Sequence, residues 1–150
     1  MTDPDSKRRL ADEMALDFER DLSADGLSLN EIKERIGRSN DRILQSPVIV
    51  VLCLDMDVMD TYPDPRRSQA EYIMGIQGVA LAGGTLLLAA HAEGLGGVWM
   101  CAPLFAPETV LRALTLPPFW QPQGMLALGY PAEIPEPRPR RALSEVAVFR

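Results

Sequence analysis

The residues whose types and spacing could do chemistry are two groups of arginines and one glycine-bounded strand end. Arg138-Pro139-Arg140-Arg141 sets three guanidinium groups on a stiff segment. Forks spaced in this way can hold a phosphate through bidentate hydrogen bonds, and a solvated basic tail is the other reading of the same residues. Arg66 and Arg67 fall at the start of a long helical pattern, where the macrodipole disfavours cations. An anion therefore belongs beside them, either a ligand group or the carboxylates of Asp64 and Glu71.

Side-chain catalysis finds little support. His91 is the only histidine, and no serine or cysteine nucleophile pattern accompanies it, so a structural or solvent-facing role is expected. The chain has no G-x-S-x-G, no phosphate-binding P-loop and no C-x-x-C. Gly94-Leu95-Gly96-Gly97 follows a helix and opens a strand. That order is the reverse of the one that aims a helix N-terminus at a pyrophosphate. Asp55 to Asp60 carries three aspartates, but Asp60 stands where a calcium loop needs glycine, and Arg66 where it needs glutamate. A solvated acidic loop is expected there, with no metal site and no catalytic side chain.

These groups must be positioned by the stretch Val79 to Phe105. Its first half is small or apolar with Thr85 as the only polar break before His91, and a helix apolar all round must be covered all round. In a chain of 150 residues one side of such a helix is easily left for a neighbour. The Gly94 turn ends the helix, because glycine enters the left-handed C-cap region without penalty. Val98-Trp99-Met100-Cys101 reads as a short buried strand stopped by Pro103. Helix, turn, strand and stop form one unit, both core and wall of a site.

Length and composition predict one domain over residues 1–150 with an ordinary core, 47% hydrophobic and 24% charged. A net charge of −6 argues against a nucleic-acid binder. Ile73 to Ala90 just reaches the lower limit for a membrane span. Its glycines, its flanking Glu71 and Glu93 and the lack of a dense basic cluster favour a buried helix and no membrane. The opening residues are charged throughout, so no secretory signal is read. Cys53 and Cys101 are expected as buried, reduced thiols of a cytoplasmic protein.

In chain order the pattern predicts an amphipathic helix near Ser6–Leu22, then a second from the Ser28/Glu31 capping box to about Leu44. A strand buried on both faces follows at Val48–Leu54. After the acidic loop, Asp64 as N-cap and Pro65 open the long helix to Glu93. A short helix from Ala106 to Leu114 and a third strand at Gly124–Gly129 come next. The proline- and arginine-rich arm Pro131–Arg141 is extended, packs little core and is suited to lie across a neighbour. Strands separated by helices indicate α/β or α+β.

The run L-L-L-A-A-H-A-E-G-L-G-G-V-W-M-C-A-P-L-F, followed by V-L-R-A-L-T-L-P-P-F-W-Q-P-Q-G-M-L-A-L-G-Y-P-A-E, closely resembles the flavin-dependent nitroreductase family. Tyr62-Pro63-Asp64-x-Arg66-Arg67 and the helices before it look most like one branch, the nitroreductase-like domain fused to the glutamyl ligase of deazaflavin-coenzyme biosynthesis. The resemblance implies an α+β sandwich, a central antiparallel or mixed sheet flanked by helices, and an intertwined homodimer with FMN at its interface. Matched by position, Trp99, Met100, Cys101 and Ala102 would lie along the flavin ring, where a backbone N–H reaches its redox-active nitrogen. Arg138 and Arg140 would grip the FMN phosphate, with Arg66 and Arg67 as candidates for a substrate or other anion. The implied activity is transfer of hydride or electrons from NAD(P)H through FMN to a small nitro, quinone or related acceptor. Two departures stand out: the basic R-R-S-x-R-like segment expected ahead of this domain is not in the sequence, and Gly84-Thr85 replaces a Gln-Asn pair. They keep a second expectation open, a dimeric accessory module of deazaflavin-coenzyme biosynthesis with weak or no FMN binding.

Overall fold

The computed structural model describes Met1–Arg150. Helix α1 (Pro4–Ala24) begins at Asp3, whose carboxylate accepts the Ser6 N–H at 2.8 Å, and ends before Gly26, at φ +80°. It buries Leu10, Ala11, Met14 and Leu22, a stripe at helical spacing. Helix α2 (Leu29–Gln45) starts from the predicted capping box, with Ser28 and Glu31 each bonding the other's backbone N–H. The buried Lys7 donates from Nζ to the Ser46 carbonyl at 2.8 Å. It thereby ties α1 to the C-terminal end of α2, where a cation is favoured.

Strand β1 (Val48–Leu54), helix α3 (Pro65–Ala92) and strand β2 (Gly96–Met100) follow. A single 3-10 turn at Ala102–Leu104 leads to α4 (Pro107–Leu114), β3 (Gln121–Gly129) and the short α5 (Leu143–Val146). The sheet has the order β1-β3-β2 and is antiparallel throughout. One face, through Ile49, Met125 and Ala127, packs on Leu10, Met14, Ile43 and Val110 of α1, α2 and α4. The other, through Leu126 and Leu128, packs on Ala90 of α3 together with Leu52, Leu87 and Trp99. The α+β sandwich is therefore three layers with β3 at its centre.

All three strands differ from their sequence reading. Strand β1, expected as buried on both faces, is an edge strand paired only with β3, and only Ile49 and Leu54 of it are fully buried. Strand β3 starts three residues early, at Gln121, because Pro122 sits at a bulge where the register slips between Leu52 and Cys53. Proline, lacking an N–H, is tolerated in a sheet at such a break. Strand β2, expected as buried, is an edge strand bonded only to β3, and Val98 is 47% exposed. The same position corrects the expectation for the cysteines: Cys53 is half-buried but Cys101 is exposed. The strand ends at Met100, one residue before Cys101 reaches the open side.

Helix α3 is long and apolar enough to cross a bilayer by length and composition. Within the chain only one stripe of it is covered, with Glu71, Gly75, Gly83 and Ala90 buried against the sheet side. Leu81 and Leu88 are each 73% exposed. Gly83 is where the backbone of α3 comes closest to the sheet: an added Cβ would lie 2.3 Å from the Trp99 ring. From the opposite side a Cβ on Gly124 would lie 2.7 Å from the same ring. The indole is thus clamped between two glycines.

Three helix N-termini are held by carboxylates: Asp3 by bonds from Ser6, Glu31 by bonds from Ser28, and Asp64 by bonds from Arg67. These hydrogen bonds hold all three carboxyls below the usual range. A depressed folded pKa gives stability that is present above the unfolded value and lost as pH falls through the folded one. Helicity measured by circular dichroism should therefore decline as the pH drops below about 4. The combined variant Asp3→Asn, Glu31→Gln, Asp64→Asn should show a flatter decline; an identical acid profile would count against the caps.

Candidate functional site

Because side chains alternate along a strand, the end of β2 splits its residues between the two faces. Trp99 turns to the α3 side and Met100 packs toward α1 and α4. At Cys101 the ladder stops: Met100 is the last residue paired with β3. The Leu104 N–H then returns to the Cys101 carbonyl at 2.9 Å, closing the 3-10 turn, and the Cys101 N–H has no protein acceptor. Nearby, the Trp99 Nε1–H donates to Cys101 Sγ at 3.2 Å. The thiol of Cys53, by contrast, is pushed up by burial.

A cavity of about 720 Å³ opens against this strand end. Trp99, Met100, Cys101 and Ala102 all line it, so four of the residues singled out by sequence are brought together. Its apolar wall is completed by Met14, Phe18 and Leu22 of α1 and by Phe105. The opposite rim is charged. Asp17 and Asp21 of α1 and its C-cap Asp25 follow at four-residue spacing, and Arg35, Arg38 and Arg42 run along α2. Sequence reading passed over this rim, although spacings of three and four residues on adjoining helices signal two charged faces.

The remaining residues singled out by sequence lie elsewhere. Arg67 Nε bonds the Asp64 carboxylate, its backbone N–H donates to the same side chain at 3.0 Å, and its guanidinium lies 5.1 Å from the Tyr62 ring centre. The anion expected at the start of α3 is, for Arg67, that helix's own N-cap. Glu71 is buried and accepts the Asp60 N–H at 3.1 Å, pinning the acidic loop. Arg66 is exposed. Arg138, Arg140 and Arg141 sit on the exposed arm after β3, and none lines the cavity. His91 faces solvent in the last turn of α3.

Comparison with known proteins places this geometry. The model of the nitroreductase family matches residues 2–130. An oxygen-insensitive NADPH nitroreductase of Salmonella typhimurium is 33% identical over 100 residues, covering 65% of this chain and 42% of that protein. The chain thus spans less than half the length of this curated relative. Among solved structures, the NfrA1 nitroreductase of B. subtilis superposes with TM-score 0.69 at 18% identity, covering 99% of this chain and 54% of its own. A Desulfovibrio desulfuricans protein solved with FMN, provisionally described as a nitroreductase, superposes with TM-score 0.63 at 25% identity over 94% of this chain and 65% of its own. With the fold and residues 2–130 in agreement, the chain belongs to the nitroreductase family.

Proposed function

We propose that this chain is the core of an FMN-dependent oxidoreductase that passes hydride or electrons from NAD(P)H to a small nitro, quinone or related acceptor. The observation that carries the reading is the cavity at the end of β2, with the unbonded Cys101 N–H at its wall. Its volume falls within the roughly 300–1,000 Å³ usual for cofactor and ligand sites, and its lining is largely apolar, as a flat heteroaromatic ring needs. Bound there, FMN would supply two-electron chemistry, and the protein would supply binding, orientation and electrostatics. Trp99 to Ala102 would lie along the ring, the Cys101 N–H would meet a ring acceptor, and Phe105 with Phe18 would keep water from one side. No side chain is assigned as acid or base.

The reading includes a homodimer. Within one chain Arg138 and Arg140 stand outside the cavity, so the arm of a second copy would bring them to the FMN phosphate. The uncovered face of α3, the exposed Ile134 of the arm and the exposed Leu143, Val148 and Phe149 beyond it support that arrangement. The reading takes the chain, through the pattern Tyr62 to Arg67, as similar to the branch fused to the deazaflavin-coenzyme ligase, and as a cytoplasmic protein. Arg66 remains the exposed candidate for a further anion.

A visible spectrum tests the assignment. The purified protein should bind added FMN, absorb at about 450 nm and bleach with NAD(P)H, as bound flavins do. Arg138→Ala/Arg140→Ala should weaken FMN binding by roughly tenfold to a hundredfold per arginine, since each removes charge-assisted hydrogen bonds, with the melting temperature little changed. A protein that ignores FMN would instead favour the accessory module without flavin.

A further inference from the structure

We propose that the Phe105 ring is a movable partition between two chambers of the site, and that it restricts the protein to short, single-ring electron acceptors. Beside the cavity at the end of β2 lies a second one of about 270 Å³. Asp17, Phe105 and Ala106 line both, so these three residues make the wall between them. Two of the three are fixed. Asp17 bonds Arg20 at 2.8 Å and accepts the Thr109 hydroxyl. Ala106 is buried, and its carbonyl accepts the Val110 N–H at 3.0 Å as α4 begins.

Phe105 is fixed only in its backbone, whose N–H donates to the Ala102 carbonyl at 3.1 Å and caps the 3-10 turn. Its side chain is 76% exposed, as a large apolar ring with open space on both sides must be. A ring so placed moves between staggered rotamers within nanoseconds, while its Cα stays where the turn holds it. Bare aromatic surface at a cavity wall is covered best by a flat ligand laid against it. Phe18 offers a contrast, because it lines the large chamber and not the small one. A one-ring acceptor therefore fits the large chamber against Phe105. A longer acceptor would have to pass the ring into the small chamber, whose Thr109 and Glu108 suit a polar far end.

That the ligand is an electron acceptor rests on the flavoenzyme reading; the partition rests on the wall. Equilibrium dialysis of the protein with saturating FMN and no reductant tests it without turnover, using 4-nitrobenzyl alcohol as the one-ring probe and 4-hydroxy-4′-nitrobiphenyl as the long one. The wild type should bind the one-ring probe about tenfold more tightly, since the long one must displace the ring. Phe105→Ala should weaken the one-ring probe by about threefold to tenfold, the loss of an aromatic contact. It should tighten the long probe by a similar factor, so that the preference is lost or reversed. Phe105→Tyr keeps a ring and should keep the preference. Phe18→Ala, in the large chamber only, should weaken both probes alike. An unchanged ratio in Phe105→Ala, or a wild type without the preference, refutes the partition. The visible spectrum of the same samples separates the two ideas. Bound flavin with an unchanged ratio sinks the partition alone, whereas a protein that takes no FMN sinks the flavoenzyme reading and the acceptor assignment with it.

Discussion

Gly83→Ala and Gly124→Ala should each destabilise the protein by about 1–3 kcal/mol, the usual effect of forcing an extra methyl into a packed core. Either Cβ would enter the Trp99 ring, at 2.3 Å from the helix side and 2.7 Å from the strand side. A rigid ring held between two backbones cannot turn away from one without striking the other. The damage should reach the site, because Trp99 immediately precedes Met100 and Cys101 at the cavity wall. Denaturant unfolding checks the first effect and FMN affinity the second. The decisive control is Trp99→Leu, which should relieve the clash at Gly124, where every close atom belongs to the ring, so that Gly124→Ala costs much less in that background than in the wild type. Additive losses would mean that the ring is not what Gly124 accommodates.

Leu81→Asp/Leu88→Asp should convert a dimer to a monomer and strip it of flavin, while leaving the protomer folded. Met74, Leu81 and Leu88 recur every seven residues along α3, and all three are exposed in the single chain. Seven-residue spacing is the seam of a helix pair. Beside that seam, Gly78 and Gly84 have nothing within 4 Å of a built Cβ, leaving room for another backbone to come close. Burying each leucine against a second copy would contribute about 1.5–3 kcal/mol, and an aspartate in its place leaves an unpaired charge in the interface. The dimer dissociation constant should rise by roughly a thousandfold or more, as sedimentation equilibrium would show. Far-ultraviolet circular dichroism should not change, because neither leucine contributes to the protomer's own core. A wild-type monomer, or a variant that remains dimeric with flavin bound, would remove the arrangement.

Much of the fold could be read residue by residue from local signals. The capping box at Ser28, the Asp64 cap with Pro65 behind it, and the left-handed Gly94 at φ +78° each act within a few residues, so spacing alone specifies them. The seven apolar residues of β1 likewise marked the strand with its ends. The strand end Trp99 to Ala102, which lines the cavity, was legible as a wall because proline and glycine punctuate it on both sides.

Other features depend on which elements become neighbours, and no spacing within one element states that. Pro122 inside β3 looks like a strand boundary until β1 supplies the bulge that accommodates it. Cys101 looks buried until the sheet order leaves β2 at an edge. The Arg35–Arg42 rim is an ordinary solvated helix face in the sequence, and becomes part of a cavity only because α2 is set beside α1 over the end of β2. By itself the sequence determined where helices and strands start, stop and turn their apolar sides, since those follow from capping, periodicity and backbone sterics over short range. The tertiary structure alone decided which charges face the cavity, which glycines grip Trp99 and which face of α3 stays bare, because each of these is set by contacts between residues far apart in the chain.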